Sequence, residues 1–449
     1  MKKNSFSYRV LMLFCSNAIL QIMGFAYRIA LSRTAMDSAL GLNSLVMQVY
    51  QMIVSVCISG LNIAVAGLAA KLDSPSMARL FKSSFIIFTF LWLLMAVPLM
   101  IAGEGFCKTA LGNGRVYPTV CIMLVCIFMT GVENILKSIH IGTKNVRQCA
   151  VSELCEQAAR FLLVINLLKG LTDKSDENTV FYIMLGMVFS EFVSVGFLLT
   201  SFGRKFGFKD KGSKKGLYIR EITDVGFPAT LTAVASTFFA SVGSLILPNA
   251  LMRYGMTYNG ALAQIGEMNT VCVPITMLPM AFVGALSAVL MPEIRGIVER
   301  NGSPWRLIRR AFSFVTVAGA VASLLLFVFY RSISQGMFGR SPDHALMGIL
   351  IIKGMVIYLQ VTSIAVLNGL LKQRTVLVFA VLGELYQLIL IMLTVPVLGI
   401  NGYAASMVVG EALRLACNML SVKKHMPCHE RKHQYSVFPR RRMPRTDAN

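Results

Sequence analysis

Long apolar runs recur along the whole chain and are separated by short polar segments. Each run has about 18 residues or more, which is enough helix to cross the hydrocarbon layer of a bilayer. The first run follows a basic start, but Asn17 and Gln21 interrupt it and no small-residue cleavage site follows, so it is interpreted as a retained span. The pattern predicts twelve membrane-spanning helices, near residues 8–31, 41–67, 84–103, 116–139, 150–171, 179–202, 224–248, 262–290, 311–330, 345–371, 375–397 and 402–422.

The composition agrees with an all-α integral membrane protein. Of 449 residues, 55% are hydrophobic and only 14% are charged, whereas soluble domains usually carry about 25% charged residues. The net charge of +22 comes from Lys and Arg in alternate loops, above all at 204–220 and after residue 422. A nucleic-acid-binding protein would instead cluster these residues on a soluble face. Since basic loops stay cytoplasmic, both termini are predicted to be cytoplasmic.

The basic loop at the centre divides the spans into two sets of six, which predicts a duplicated architecture. An offset of 228 residues places Lys144 on Lys372 and Glu156 on Glu384. Because six is an even number, both halves enter the membrane from the same side, as parallel repeats related by a pseudo-two-fold axis. The predicted units are an N-terminal six-helix lobe (1–203), a cytoplasmic basic linker (204–220), a C-terminal six-helix lobe (221–424) and a basic cytoplasmic tail (425–449).

Polar residues inside the spans form stripes along single helix faces. Glu153, Glu156, Gln157 and Arg160 are spaced as one face of the fifth span. An ionised residue facing lipid at mid-helix costs about 2.5–3.5 kcal/mol, so this face is expected to meet protein or water. The first span carries a similar stripe, which consists of Asn17, Gln21, Gly24 and Arg28.

Two interpretations of the intramembrane charges stay open. Three pairs have the spacing of ion pairs within one helix and could be purely structural; they are Glu133–Lys137, Glu156–Arg160 and Glu411–Arg414. Other charged residues have no evident partner on their own helix, which makes them functional-site hypotheses; they are Glu191, Glu267, Glu384 and Lys353.

Catalytic and metal-binding motifs are absent from the sequence. The ten cysteines form no CxxC pair, no histidines cluster at metal-ligand spacing, and no Gly-rich phosphate loop or GxSxG motif occurs. The sequence therefore predicts neither an enzyme nor a bound metal or cofactor. Pro274 and Pro279 interrupt the eighth span, and such kinks suit a bundle that changes shape. A duplicated bundle with a polar interior and bent helices is typical of a transporter that works by alternating access.

Several stretches resemble the stage V sporulation protein B-like polysaccharide flippases, in the superfamily that includes lipid II flippases and multidrug and toxin extrusion antiporters. The resemblance covers about residues 20–420 and includes FAYRIALSR, KSIHIGTKNVRQCAVSELCEQAARF, MNTVCVPITMLPMAFVGALSAVLMPEI and VLNGLLKQRTVLVFAVLGELYQLILIMLTVPVLGINGYAAS. It implies two six-helix lobes around a cavity that opens alternately to each side. Arg28 and Arg33 match the family's paired arginines, which the resemblance implies meet a diphosphate. The chain departs from many relatives in having twelve rather than fourteen spans, and its second and eighth spans lack arginine.

The favoured hypothesis is a flippase in the bacterial cell membrane that moves a lipid-linked oligosaccharide or peptidoglycan precursor, for spore cortex or cell-wall synthesis. The alternatives are a cation-coupled multidrug antiporter of the same fold and a non-transporting scaffold for cell-wall enzymes. Expected partners are the anionic lipid-linked glycan, membrane lipids and cell-wall synthesis proteins. Candidate substrate-binding residues are Arg28, Arg33, Asn17, Gln21, Glu156, Arg160 and Lys353. Candidate cation-coupling residues are Glu267 and Glu384.

Overall fold

Every regular element in the described part of the protein is helical. A computed structural model describes residues 6–207, 216–300 and 302–425, and the side chains of all of these except residues 6–18, 232 and 288. Most of the predicted linker, the predicted tail and the side chain of Asn17 therefore lie outside the description. The helices are α1 (Phe6–Thr34), α2 (Asp37–Ala69), α3 (Met77–Ala110), α4 (Tyr117–Gly142), α5 (Val146–Lys169), α6 (Asp176–Phe206), α7 (Ile219–Arg253), α8 (Tyr258–Glu267), α9 (Val273–Thr276), α10 (Met280–Glu299), α11 (Trp305–Ile333), α12 (His344–Gly369) and α13 (Gln373–His425).

The twelve predicted spans can all be located on these helices. Within the described residues, nine helices are long and apolar enough to cross a membrane. The helices α1 and α5, together with the second arm of α13, complete the twelve. The helix α5 is less apolar because it carries the polar stripe that begins at Glu153. The prediction of an all-α membrane protein with two six-helix lobes is therefore confirmed.

The eighth predicted span is broken, as its prolines predict. It consists of α8, a wide helical turn at Met268–Cys272, the short α9 and then α10. Pro274 lies in the first turn of α9, and Pro279 immediately precedes α10. Proline has no backbone N–H to donate, so each one interrupts the hydrogen-bond ladder of a continuous helix. The break divides the span near its middle.

The long helix α13 is a hairpin that reverses at Gly399. This residue has φ 60° and ψ −141°, a conformation that glycine adopts without the strain of a Cβ atom. Two contacts show that its arms, residues 373–398 and 400–425, run antiparallel. Arg414 forms an ion pair with Glu384, and the hydroxyl of Thr394 donates to the carbonyl of Gly402 at 3.0 Å. The arms therefore form the last two spans.

The two lobes have separate apolar cores and a related helix arrangement. The N-terminal lobe is built mainly on α2, α3, α4 and α6, and α5 packs between α1 and α6. The C-terminal lobe is built on the second part of α7 and on α8 to α13. Close helix packing in both lobes places small residues at the contacts, as membrane helices generally do.

The turns after α4 and α12 correspond at an offset of 227 residues. Both pairs of flanking helices end and begin at positions with this difference, and so do the left-handed residues Lys144 and Leu371, each at φ 60°. The sequence comparison, which placed Lys144 on Lys372, was therefore wrong by one residue here. At the observed offset Glu156 corresponds to Gly383, so the two halves do not share a glutamate at this position.

The helix α7 contacts both lobes. Near its start it packs against α2 of the N-terminal lobe, where a Cβ atom on Gly60 would lie 2.0 Å from the carbonyl oxygen of Gly226. Further along it packs against α13, and Gly243 faces Ile391. The predicted lobe boundary at residue 221 thus lies within the first turn of a helix that joins the two lobes.

Candidate functional site

Two arginines join the lobes at the end of the bundle that carries the α1–α2 turn, which is the predicted outer end. Arg33 donates from Nε to the carbonyl of Met337 at 2.7 Å and from Nη2 to that of Gly336 at 2.6 Å. In the opposite direction, Arg340 pairs with Asp37 at 2.7 Å and donates to the carbonyl of Ser32 at 3.3 Å. We call these six residues the interlobe clasp.

The clasp exploits carbonyl groups at helix ends. Ser32 lies in the last turn of α1, and Gly336 and Met337 lie in the turn that ends α11. The last carbonyls of a helix lack partners within the helix and attract cations. Because exposed ion pairs contribute about 1 kcal/mol or less each, such contacts can be broken and remade. Arg33 therefore holds the lobes together in this arrangement.

Backbones also meet closely beside the clasp. A Cβ atom on Gly41 of α2 would lie 1.9 Å from the carbonyl oxygen of Leu262 of α8, and one on Gly266 would lie 2.0 Å from that of Asp37. Only residues without a side chain allow this approach. Glu267, a predicted coupling residue, follows Gly266 at the end of α8 and is partly exposed. It therefore lies beside the clasp.

The helix α1 contacts both lobes with different faces. Phe25 and Ile29 pack against the core of the C-terminal lobe, and the ring of Phe25 meets Phe338 edge-on at 5.6 Å. Tyr27 and Leu31 pack against α5 and α6 of the N-terminal lobe. At about 100° per residue these two contact faces are roughly 160° apart. Two further faces of α1 lie between them.

These two remaining faces differ in polarity. One carries Gln21, Gly24 and Arg28, and the other carries Ile22 and Ala26. A Cβ atom on Gly24 would have no neighbour within 4 Å, so the polar face borders open space. An apolar face suits lipid, whereas a polar face at the same depth requires a wet or protein-lined space. The polar face is accordingly the one that can line a space between the lobes.

Arg28 and Arg33, which the resemblance pairs, are not brought together. They are about 140° apart around α1, because Arg33 lies two turns after Ala26 on the apolar side. Arg33 contacts the C-terminal lobe, whereas the exposed guanidinium of Arg28 has no hydrogen-bond or ion-pair partner among the side chains that the structure describes. The two residues therefore have different environments.

Lys137 connects three carboxylates inside the N-terminal lobe. Its Nζ atom lies 2.8 Å from Glu133, 3.4 Å from Glu153 and 3.7 Å from Glu156. Ser194 of α6 also donates a hydrogen bond to Glu133. The polar stripe of α5 thus faces α4 and the lobe interior. The predicted pair between Glu133 and Lys137 is confirmed.

Arg160 extends the same network to α6. Its Nη2 atom forms ion pairs with Glu156 and, at 3.4 Å, with Glu191, and its Nε donates to Ser190 at 3.3 Å. The predicted pair between Glu156 and Arg160 is therefore present, but Glu191 is a second partner that the sequence did not indicate. The N-lobe charge cluster consists of Glu133, Lys137, Glu153, Glu156, Arg160 and Glu191.

This cluster contains two more acidic than basic groups. Carboxylate oxygens of Glu133, Glu156 and Glu191 all lie within 4.8 Å of one another, and all three residues are buried. Two like charges at this distance repel by about 3.5 kcal/mol at an effective dielectric constant of 20. Oxygen ligands of this kind suit hard cations. The cluster can therefore be stabilised by taking up a cation or a proton.

A second charge cluster lies in the C-terminal lobe. Arg414 binds Glu384 across the α13 hairpin through Nη1, and binds Glu411 on its own helix at 2.6 Å through Nη2. The predicted pair between Glu411 and Arg414 is confirmed, and Glu384 is paired as well. Lys353 is buried on α12, and its Nζ atom lies 3.3 Å from the sulfur of Met407.

Comparison with known proteins connects this architecture to a family. A family model described as polysaccharide biosynthesis protein matches residues 8–297, which is more than half of the chain. The chain belongs to this family. This polysaccharide biosynthesis family member is also 22% identical to stage V sporulation protein B of Bacillus subtilis over 453 residues, with 97% of this chain and 87% of that protein covered.

Solved structures show the fold. The family member superposes with a TM-score of 0.73 on an inward-facing multidrug resistance MATE family transporter of the MOP superfamily, at 13% identity over 93% of this chain and 96% of that chain. It superposes with a TM-score of 0.61 on the Vibrio cholerae MATE transporter VcmN in its bent form, at 14% identity over 93% and 97%.

A third match is a MOP superfamily transporter of Pyrococcus furiosus described by the reverse polarity of its binding pocket, with a TM-score of 0.61 at 14% identity over 92% and 94%. All three confirm the predicted transporter fold. The polysaccharide biosynthesis family member is a multi-pass membrane protein of a transporter class and not an enzyme.

Proposed function

We propose that this family member is a flippase that moves a lipid-linked oligosaccharide or peptidoglycan precursor across the bacterial cell membrane by alternating access. The proposal rests above all on the polar face of α1, where Arg28 presents a free guanidinium between faces that contact the two lobes. A guanidinium binds phosphate through two parallel hydrogen bonds. The diphosphate of a lipid-linked glycan would therefore be bound at this face, with Gln21 beside it.

The interlobe clasp supports the alternating-access part of the proposal. Alternating access needs lobe contacts that hold one side closed and can be released. The clasp residues exchange hydrogen bonds and an ion pair across the lobes at the predicted outer end. The structure would then represent the state that is closed to the outside. Arg33 serves closure in this scheme, and Arg28 serves the substrate.

The N-lobe charge cluster is the preferred site of coupling to a cation or proton. Its two excess negative charges favour uptake, and Arg160 and Lys137 connect three helices through it. Uptake of a cation would change how α4, α5 and α6 attract one another. Of the coupling candidates chosen from the sequence, Glu384 is bound by Arg414 and Glu267 lies beside the clasp, so the cluster around Glu191 is the stronger candidate.

The proposed orientation gives a topology prediction. Because basic loops remain cytoplasmic, single cysteines introduced at 204–220 or 426–449 are expected to react with a membrane-impermeant maleimide only in inside-out vesicles. Cysteines introduced at 173–178 are expected to react only in right-side-out vesicles. Labelling of the central loop and the tail on opposite faces would contradict the twelve-span arrangement.

Translocation itself can be measured with purified protein in vesicles. We expect the protein to speed the transfer of a fluorescent lipid-linked diphosphate oligosaccharide between leaflets, detected as loss of protection from an external quencher. The matched lipid without phosphate should move at the rate of protein-free vesicles, since Arg28 would have no anion to bind. Export of a lipophilic cation without any transfer of the lipid-linked glycan would instead favour the multidrug antiporter.

A role in spore cortex or cell-wall synthesis is the biological form of this proposal. It is supported by the family and by similarity to stage V sporulation protein B along most of the chain. Cell-wall synthesis proteins on the cytoplasmic side would supply the substrate, and others outside would consume it. Restoration of growth in a strain depleted of its lipid II flippase would extend the substrate to the peptidoglycan precursor.

A further inference from the structure

A small polar cavity of about 180 Å³ lies in the C-terminal lobe next to the second charge cluster. Lys353 of α12 and the cluster residues of α13 form one side. Ser244 of α7 and Gln387 and Tyr403 of α13 form others, and Gln48 of α2 closes it from the N-terminal lobe. We call this space the C-lobe cavity. It is thus shared between the lobes.

Two charged groups at the C-lobe cavity lack suitable partners. Lys353 is 8% exposed, and its ammonium group donates to the thioether sulfur of Met407, which is a weak acceptor. The Oε2 atom of Glu411 is buried without a hydrogen-bond partner among the described residues. A buried polar group without a partner costs about 1–3 kcal/mol, and more when it is charged. An occupant that both accepts and donates hydrogen bonds would satisfy both groups.

The formal charges decide which kind of occupant fits. Lys353 and Arg414 balance Glu384 and Glu411, so the walls are neutral overall. An anion would lie close to two carboxylates, and a cation would lie close to an ammonium and a guanidinium, so each would meet repulsion as well as attraction. A neutral polyhydroxylated group meets neither cost.

We propose that the C-lobe cavity binds one uncharged sugar ring, a hexose or N-acetylhexosamine, of the glycan that the protein translocates. This inference rests on the proposed function, because a sugar site is expected only if the cargo is a glycan. A sugar hydroxyl can accept a hydrogen bond from Lys353 while it donates one to Glu411. The amides of Gln48 and Gln387 can each donate and accept, as sugar recognition requires.

The position of Gln48 gives the site a second property. Because this residue belongs to the N-terminal lobe, the complete cavity exists only while α2 lies against α7 and α13. A sugar bound there would contact both lobes and stabilise their present arrangement. Arg28 would bind the phosphate end of the cargo, and the C-lobe cavity would bind its glycan.

Sugar binding can be tested without transport, by saturation-transfer NMR on purified full-length protein with methyl glycosides of hexoses and N-acetylhexosamines. At least one glycoside is expected to bind, and Lys353→Met and Glu411→Gln are each expected to weaken it at least about tenfold. Gln48→Leu should weaken it without changing any charge. Lys423→Gln, at an exposed lysine near the end of α13, should bind like the unmodified protein.

Several results would overturn the inference. They are binding that persists in Lys353→Met, Glu411→Gln and Gln48→Leu, competition by inorganic pyrophosphate but not by free sugar, or no binding of any glycoside to monodisperse protein. Melting temperatures of the three variants show whether they are folded, and Gln48→Leu keeps the test valid if a charge variant unfolds. Translocation of the lipid-linked glycan without sugar binding would remove the inference and leave the proposed function intact.

Discussion

Replacement of Arg160 by leucine is expected to lower the free energy of unfolding by about 3–5 kcal/mol, the usual cost of removing one partner from a buried ion pair. Arg160 is the counter-ion of Glu156 and Glu191 and also donates to Ser190. Without it, the N-lobe charge cluster would have three excess negative charges. The loss is measured by thermal or denaturant unfolding of the purified protein in detergent.

The matched control is Arg295→Leu. Arg295 pairs with Glu299 at the same helical spacing of four residues, but the two side chains are 52% and 62% exposed. Such a pair contributes at most about 0.5 kcal/mol. The double variant Arg160→Leu with Glu156→Leu is expected to recover part of the stability, because it removes one of the carboxylates left unpaired. Equal destabilisation of the single and double variants would show that the two residues do not act as a pair.

The number and type of spans could be predicted from the sequence because membrane insertion depends mainly on each segment itself. A run of apolar residues must form a helix in lipid, since no water is present to satisfy its backbone groups. The broken eighth span followed from Pro274 and Pro279 for the same local reason. Ion pairs within one helix, such as Glu411–Arg414, were likewise readable from spacing alone.

Partners on different helices could not be read from spacing. Arg414 meets Glu384 only because Gly399 reverses the chain between them, and Arg160 meets Glu191 because α5 packs on α6. Glutamates without a partner on their own helix were therefore interpreted as free, whereas both of these are bound. The lesson is that an intramembrane charge needs its neighbouring helices before its role can be judged.

The offset between the halves shows a related limit. The sequence comparison matched the chemistry of two lysines, whereas the backbone repeats through the left-handed residues Lys144 and Leu371. A shift of one residue rotates a helix face by about 100°, so it replaces one lining residue with another. At the observed offset Glu133 and Glu191 correspond to the neutral Gln360 and Asn418. The N-lobe charge cluster is thus specific to one lobe.

Replacement of Arg28 by alanine is expected to reduce translocation of the lipid-linked glycan to the rate of protein-free vesicles. Arg28→Lys is expected to lower the rate about 10–100-fold, because lysine keeps the charge but loses the paired hydrogen bonds to phosphate, a loss of about 1.5–3 kcal/mol. Both variants should keep normal abundance and melting temperature, since Arg28 has no partner among the described side chains whose loss would destabilise the fold.

Arg33 provides the contrast that separates substrate binding from anchoring. Its guanidinium already donates to two backbone carbonyls of the other lobe, and a lysine could still donate to one of them. Arg33→Lys is therefore expected to reduce translocation less than Arg28→Lys. An arginine that merely anchors α1 at the membrane surface would be replaced by lysine without loss. Full translocation by Arg28→Lys would accordingly assign Arg28 to anchoring, and the argument for an anionic lipid-linked substrate would lose its main support.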